Sequence, residues 1–469
     1  PGFIASQLGS WWQRLVEPIM SELLFVGAIP VPTGTRFSPT TSSSGMCEPG
    51  RLAAGQSPIL GVVGLLVVGT LRAWRFCGSH SSDVRASRLR ARSRMMSAAV
   101  PRRLSKLAAQ VAASGSSRQY AAESKKLPEL YFGTMTFGWN QASKTVDDRV
   151  ATTMLQRFLG GGGVEVDTAR IYSGGATEDI LGRVLTSGDL GSASYVLGTK
   201  AHPSQPGGLS RAGVLGQLGA SLRALQVERV DVLYLHQPDP DHDLMESLEC
   251  MQELIGAGTI SKYGMSNYSA IEVERACAIC TDRGWALPSF FQGLFNPLNR
   301  WTEEELLPVL RANSIAFIAY NPLAAGMLTG KHLPGAAPLA GRFKDNPNYL
   351  PRFYTEANFK ATERIRAACA EQGLGMVPAT YSWLLRYSVL DASKGDGVLL
   401  GASSVEQFEE NMAACAAPPD LPPSVLSAFN EAWATCKEGA FPYWRSYSQD
   451  QPGRESLDPG ASYDAAKKK

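Results

Sequence analysis

Charged residues make up only 19% of the 469-residue sequence, and its eight cysteines are scattered. Scattered cysteines do not indicate the disulfide framework of a small secreted domain. The hydrophobic fraction of 44%, together with the low charge, excludes a wholly disordered chain. The length allows about two to four small domains, or one large domain with extensions.

Acidic residues are scarce in the first 126 residues. This segment contains 16 Lys and Arg against 5 Asp and Glu, a net charge of +11, whereas the remainder carries −9. The formal net charge of +2 is therefore the sum of two regions of opposite charge. We expect no nucleic-acid partner for the acidic remainder.

The longest apolar run in the basic segment is too short for a typical membrane span. Ile59–Leu71 covers 13 residues, whereas a bilayer requires about 20. The Arg-, Ser- and Ala-rich stretch 86–99 that follows is typical of an organelle presequence. We predict that 1–126 is a targeting leader (a transit peptide), for a plastid rather than a mitochondrion, or otherwise that the protein is cytoplasmic. A disordered basic extension, a membrane anchor or mistranslated upstream sequence are the alternatives.

Short β-rich runs alternate with helical stretches from residue 127 onward, which predicts βα units and a parallel sheet. The eight predicted strands are Leu130–Thr134, Val164–Asp167, Tyr195–Thr199, Val230–Leu235, Ile260–Met265, Ser289–Gln292, Ile315–Tyr320 and Gly397–Gly401. The predicted helices include Val146–Leu159, Ser210–Leu225, Leu244–Ala257, Ile271–Arg283, Glu303–Ala312 and Phe359–Gln372. Eight strands over about 275 residues match a (β/α)8 barrel.

A doubly wound sheet is the rival fold, and it would normally show a Gly-rich fingerprint after its first strand. Residues 133–138 read GTMTFG, which is not that fingerprint, and Gly160–Gly163 precedes its strand and is interpreted as a flexible loop. We therefore predict an α/β protein: a (β/α)8 TIM barrel with a C-terminal extension over 127–449, preceded by a largely disordered segment. The polar end, 450–469, is predicted to be a disordered tail.

Polar residues stand at the ends of five predicted strands. They are Asp167, Lys200, His236, Ser266 with Asn267, and Gln292. Each residue alone has a structural explanation, such as helix capping or solvation. Because barrel chemistry lies on the loops that follow the strands, their coincidence with the strand count favours one site.

Tyr172 lies five residues after Asp167 and offers an acid. A Tyr hydroxyl has a pKa of about 10, and a nearby ammonium such as that of Lys200 would lower it. Asp167 would keep Lys200 charged, and a neutral His236 would orient a carbonyl oxygen. This set suits protonation of an oxygen while a cofactor delivers hydride to the carbonyl carbon.

The order and spacing of the motifs resemble the aldo-keto reductase superfamily, most closely its aflatoxin-aldehyde reductase-like (succinic semialdehyde reductase-like) branch. The resemblance covers about Leu127–Gln449. The matching motifs are Gly133–Met135, Val166–Ala169 with Tyr172, Gly198–Lys200, Tyr234–His236, Gly264–Tyr268, Phe291–Asn296, Tyr320–Lys331 and Gly401–Gln407.

The resemblance implies NADPH-dependent reduction of aldehydes and some ketones, a role in detoxification, a mature domain without stable membrane association, and a possible homodimer. It marks Tyr172, Lys200, Asp167 and His236 as the catalytic tetrad. The cofactor-binding residues that it implies are Ser266, Asn267, Gln292, Asn321, Leu323, Gly326, Lys331, Ser403, Ser404, Gln407 and Asn411. Asn321–Lys331 would wrap the pyrophosphate, with an ordinary long loop as the alternative.

The sequence leaves open the coenzyme preference, the role of Arg445 and an alternative function. Residues 403–407 contain no basic residue, so NADPH over NADH is implied by resemblance alone. Arg445 would bind a carboxylate of the substrate, while His236 binds its carbonyl oxygen. The alternative is that the aromatic residues beside Arg445 pack and that its guanidinium is solvated. The same superfamily includes regulatory subunits that bind NADP(H) and report redox state to a membrane channel. No metal site is predicted, because Cys277 and Cys280 fit a packed helix face better than a zinc or redox site.

Overall fold

The computed structural model describes residues 126–140, 142, 144–336, 342–344, 346 and 349–445. The chain divides into units Pro1–Gln119 and Tyr120–Lys469, and the second contains all the described residues. The leader predicted for 1–126 lies outside the described residues except for Lys126, and the tail 450–469 lies wholly outside them. Both assignments stay predictions.

Eight parallel strands close into a barrel in chain order, which confirms the predicted fold. The strands are β1 (Glu129–Gly133), β2 (Glu165–Asp167), β3 (Val196–Ala201), β4 (Val230–Leu235), β5 (Ile260–Ser266), β6 (Phe290–Leu294), β7 (Ala316–Tyr320) and β8 (Gly397–Leu400). Pairing of β1 with β8, in which Leu130 is opposite Val398, closes the sheet. Parallel closure places all the carboxyl ends at one mouth of the barrel.

Helices surround the barrel, and several of them begin at a residue whose side chain caps the helix. They are α1 (Asp148–Gly160), α2 (Ala176–Thr186), α3 (Arg211–Leu225), α4 (Leu244–Gly256), α5 (Ala270–Arg283), α6 (Trp301–Glu304), α7 (Leu307–Ala312), α8 (Leu350–Phe353), α9 (Glu356–Glu371), α10 (Met376–Ser382), α11 (Val405–Ala416) and α12 (Pro423–Cys436). The Ser210 hydroxyl accepts from Gly213 N at the start of α3, and Asp243 caps α4 in the same way. No helix among the described residues is long and apolar enough to span a membrane.

The barrel interior has a small aromatic and aliphatic core of its own. Tyr131, Val232, Tyr234 and Ile318 form this cluster, separate from the larger core between strands and helices. A Cβ on Gly264 would lie 2.5 Å from the Tyr234 ring, so a glycine on β5 leaves the space that this ring fills. Tyr234 in turn supports the polar residues at the mouth, because its ring centroid lies 5.6 Å from Lys200 Nζ.

Several predicted boundaries shift in the structure. The helix predicted over Glu303–Ala312 is two short helices, α6 and α7. Strand β3 continues two residues beyond its predicted end, so Lys200 lies within the strand. Gly160 is the last residue of α1, and the amides of Gly161–Gly163 donate to carbonyls of its last turn. The glycine run predicted as a loop therefore terminates a helix.

Cys277 and Cys280 lie on the buried face of α5, as the sequence predicts for a packed helix face. Burial raises the pKa of both thiols, to about 11 for Cys277. All six cysteines in the described part of the chain are free thiols. A high pKa keeps these thiols protonated and unreactive near neutral pH.

Candidate active site

The polar residues predicted at strand ends meet at the carboxyl mouth of the barrel. Asp167 ends β2 and Ser266 ends β5, while His236 follows β4 by one residue. Gln292 lies inside β6, opposite Ser266 in the parallel register. The structure therefore brings together residues up to 125 positions apart in the chain.

Asp167 and Lys200 form a buried ion pair at the centre of this mouth. Lys200 Nζ lies 2.5 Å from Asp167 Oδ2 and donates to the Thr168 carbonyl at 2.8 Å. Gln292 Nε2 donates to the other carboxylate oxygen at 2.5 Å. Burial raises the pKa of Asp167, and Lys200 and Gln292 oppose this shift by stabilising the carboxylate. Burial lowers the pKa of Lys200, and the negative charge of Asp167 opposes this shift.

Tyr172 lies beside this ion pair on a short turn that follows β2. Its ring centroid is 5.2 Å from Lys200 Nζ and 5.7 Å from the His236 ring, which stands nearly perpendicular to it. Arg170 Nη1 donates to the Gly175 carbonyl at 2.9 Å and bridges the turn from within. A hydroxyl-bearing ring, an ammonium and an imidazole therefore face one small volume.

The surroundings of His236 favour an uncharged imidazole at this mouth. Burial lowers the pKa of His236 well below its ordinary value, and His202, Lys200 and Arg445 contribute in the same direction. The His236 carbonyl accepts from Asn267 Nδ2 at 2.8 Å, which ties the end of β4 to the end of β5. A neutral ring can donate one hydrogen bond and keep one bare nitrogen.

Asn267 occupies a backbone conformation that few residues adopt. Its φ is +63°, and its side chain joins three elements of the mouth. Nδ2 donates to His236 O and to Ser266 Oγ, and Oδ1 accepts from the Tyr320 hydroxyl at 2.6 Å. Left-handed backbone at non-glycine residues is concentrated at functional sites, where surrounding contacts hold it in place.

A cavity of about 520 Å³ connects the mouth to the loops after β7 and β8. All four proposed catalytic residues line it. So do the predicted cofactor residues Ser266, Asn267, Gln292, Asn321, Leu323, Gly326, Lys331, Ser403, Gln407 and Asn411. Ser404 does not line the cavity; its hydroxyl caps α11 by accepting from Gln407 N at 3.3 Å.

The loop after β7 bends sharply along the cavity. Asn321, Ala324 and Ala325 have φ values of +56°, +48° and +57°, and Gly326 has +109°. Left-handed backbone turns successive amides toward one side, which is a geometry suited to anions. At the far end, Ser403 donates through both N and Oγ to Gln407 Oε1, at 3.2 and 3.1 Å.

Arg445 lies at the His236 end of the same cavity. Its backbone N donates to the Asn267 carbonyl at 2.7 Å, which fixes the C-terminal segment against the mouth. The side chain is partly buried and lines the cavity. The structure places Arg445 at the cavity, and both interpretations of its side chain stay predictions.

Other polar residues that line the cavity were not identified from the sequence as site residues. Among them are His202, Gln237, Tyr320, Arg342 and Tyr381. His202 and Gln237 follow the ends of β3 and β4, so the strand-end rule could have found them. Arg342 lies over the rings of Trp139 and Tyr349, with Cζ 5.4 Å from each ring centroid, and donates to Asn321 Oδ1 at 3.0 Å. No local pattern indicates that contact.

Comparison with known proteins agrees with this geometry. The model of the aldo/keto reductase family matches residues 129–434. The chain is 36% identical over 316 residues to aflatoxin B1 aldehyde reductase member 2 of Mus musculus, covering 65% of this chain and 84% of that protein. It is 38% identical over 312 residues to the Homo sapiens protein of the same name, covering 64% and 85%. It is also 36% identical over 321 residues to human aldo-keto reductase family 7 member A3, covering 66% and 95%.

Proposed function

Because the chain belongs to the aldo/keto reductase family, we propose that it reduces aldehydes, and some ketones, to alcohols with NADPH as the hydride donor. The observation that carries the proposal is the convergence of Tyr172, Lys200 and His236 at one end of the cavity. These side chains supply a proton donor, a cation and a neutral hydrogen-bond donor around one point. That set is what protonation of a carbonyl oxygen requires.

The residues along the cavity fit a dinucleotide cofactor. A volume of about 520 Å³ is within the range of small-molecule sites. Tyr381 lines its far end, and the hydroxyl of this residue is fully buried and has no hydrogen-bond partner in the structure. Buried hydroxyls are normally paired, so this orphan atom supports a polar ligand there. Ser266, Asn267 and Gln292 would hold the nicotinamide end, and residues 321–331 the pyrophosphate.

When bound, NADPH would supply hydride to the carbonyl carbon. Tyr172 would donate its hydroxyl proton to the carbonyl oxygen as that oxygen gains charge. The Lys200 ammonium, 5.2 Å from the Tyr172 ring, would stabilise the phenolate that remains. Asp167 holds Lys200 in position through the ion pair and keeps it charged in a buried setting.

His236 would fix the substrate by donating from Nε2 to the carbonyl oxygen. Arg445 would attract a carboxylate on the other end of the substrate, as a semialdehyde acid offers. A matched substrate pair tests this role: Arg445→Met should lower kcat/KM for 2-carboxybenzaldehyde about tenfold more than for benzaldehyde. An equal change for both aldehydes would exclude carboxylate recognition by Arg445.

A steady-state assay of the purified chain tests the proposed function. NADPH consumption with succinic semialdehyde, 2-nitrobenzaldehyde and benzaldehyde is measured, together with NADPH and NADH affinity by fluorescence titration. We expect turnover that depends on the aldehyde, and tighter binding of NADPH. Tight cofactor binding without turnover of any aldehyde would instead support the regulatory, redox-reporting role.

A further inference from the structure

Two buried polar atoms next to each other in the chain lack hydrogen-bond partners. His236 Nδ1 and Gln237 Nε2 are both inaccessible to solvent and unpaired in the structure. Gln237 is 1% exposed, and both residues line the cavity. An unpaired buried group of this kind costs about 1–3 kcal/mol, so two in consecutive residues call for an explanation.

His202 contacts both residues, and its own protonation state follows from its partners. Ser204 N donates to His202 Nδ1 at 3.0 Å, and a backbone N–H can only donate. Nδ1 is therefore unprotonated, and the proton of His202 is on Nε2. A second proton on Nδ1 would face the Ser204 N–H, which keeps His202 neutral. Burial agrees, since it lowers the pKa of His202 to about 3.

The side chain of Gln237 is oriented by His202. A hydrogen bond with Gln237 opposes the lowering of the His202 pKa. Since the proton of His202 is on Nε2, this nitrogen would be the donor and Gln237 Oε1 the acceptor. This bond turns the amide so that Nε2 is the free end, in agreement with Nε2 being the unpaired atom. Ser204, His202 and Gln237 therefore form a chain of hydrogen bonds in which each residue donates to the next. The chain ends at the Nε2–H of Gln237, which has no acceptor.

His236 offers the acceptor that this donor lacks. Its ring packs at 4.9 Å from the His202 ring, with an angle of 89° between the planes. A proton on the buried Nδ1 would be an orphan donor, whereas a bare Nδ1 is an acceptor for an amide N–H. The two unpaired atoms are thus chemically complementary, a donor and an acceptor, and they belong to adjacent residues.

We infer that His202 and Gln237 are positioning residues for His236: the donor chain from Ser204 ends on His236 Nδ1 and thereby holds the proton of His236 on Nε2, toward the substrate. Hydrogen bonds aligned in one direction polarise each other, so each strengthens the next. The inference rests on the proposed function only for its last step, in which Nε2–H donates to the carbonyl oxygen.

The charged and titratable groups around His236 agree with a neutral ring. Tyr172 faces it from the turn after β2, Lys200 and His202 from β3 and its end, and Arg445 from the C-terminal segment. The two cations oppose a third positive charge there. Tautomer choice is then set by hydrogen bonding, and the Gln237 amide is the group placed to set it.

Gln237→Glu is the sharpest test, because it keeps the shape and the acceptor for His202 but replaces the Nε2 donor with an acceptor. The state of His236 is measured by long-range nitrogen–proton NMR of histidine-labelled full-length protein, which contains only five histidines. In the wild type we expect one neutral form, protonated on Nε2, from about pH 5.5 to 8. In Gln237→Glu the proton should move to Nδ1, or the ring should become charged.

Kinetics provide a second readout of the same variant. Because Nε2 then loses its proton or the ring gains a charge, kcat should fall at least tenfold, while NADPH affinity stays within twofold. The control is Gln372→Glu, which makes the same change at an exposed residue after α9 and should alter neither property. His202→Phe is the second variant: it keeps a ring beside His236 but frees the Gln237 amide, so His236 should show a mixture of tautomers.

The outcomes separate the inference from the proposed function. A His236 that keeps the wild-type tautomer and charge in both variants overturns the positioning role, whatever the activity. If Gln237→Glu does not fold, the tautomer in His202→Phe decides in the same way. If the tautomer moves as expected but the wild type reduces no aldehyde, the positioning role stands and the proposed function fails.

Discussion

Lys200 Nζ and Asp167 Oδ2 lie 2.5 Å apart inside the barrel mouth, although the residues belong to different strands and are 33 positions apart. Both residues are almost fully buried, at 2% exposure for Lys200 and 3% for Asp167. Such a pair stabilises the fold little in total, but each charge depends strongly on the other.

Removing only one partner should therefore be costly. Lys200→Met leaves the Asp167 carboxylate buried without its cation and should lower the free energy of unfolding by about 3–5 kcal/mol. The double variant Asp167→Asn, Lys200→Met should recover most of this loss while staying inactive. Urea unfolding measures the change, and Lys360→Met, at an exposed pair, is the control with an effect of about 0–1 kcal/mol. Equal losses in the single and double variants would contradict the pairing argument.

Tyr172→Phe tests the proposed acid. The change removes one oxygen and keeps the ring that packs on His236, so the cavity and the cofactor-binding residues stay intact. We expect turnover to fall by at least about 100-fold, as for loss of a general acid, with NADPH affinity unchanged. Steady-state rates and a fluorescence titration measure the two effects. Turnover close to that of the wild type would assign the acid to another group.

Tyr381→Phe tests the far end of the cavity. If the buried hydroxyl pairs with the cofactor, its removal should weaken NADPH binding about three- to tenfold, the worth of one hydrogen bond. Thr380→Val is a matched control, because Thr380 Oγ1 is likewise buried and unpaired but does not line the cavity. The control should leave affinity unchanged. Titrations of both variants decide, and an equal effect would exclude a specific contact.

Glu165 makes stability depend on pH. Burial and the neighbouring Asp231 raise the pKa of this carboxyl from 4.5 to about 7. Between these two values the folded state holds more protons than the unfolded state, so the ionised carboxylate lowers stability as pH rises. Glu165→Gln should therefore raise the melting temperature at pH 8 but scarcely at pH 4.5. Glu228→Gln, at an exposed residue, should show no such trend.

Much of the site could be predicted because local rules apply at strand ends. Asp167, Lys200 and His236 each stand where a β-rich run stops, and parallel closure brings such positions together whatever the side chains. The ends of the strands are less predictable from the sequence. The sequence predicts that β3 ends at Thr199, whereas the strand continues to Ala201, and His202 therefore lies beyond the predicted strand end.

The sequence by itself determined the barrel, through eight alternating β and α patterns, and the identity of the polar residues at its mouth. Only the tertiary structure decided that Gln292 binds Asp167, that Arg342 lies over the Trp139 ring, and that the His202 ring packs against the His236 ring. Hydrophobic periodicity is a local property, because it depends only on residues that are close in the sequence. Hydrogen bonds between loops depend on distances that exist only once the barrel has closed.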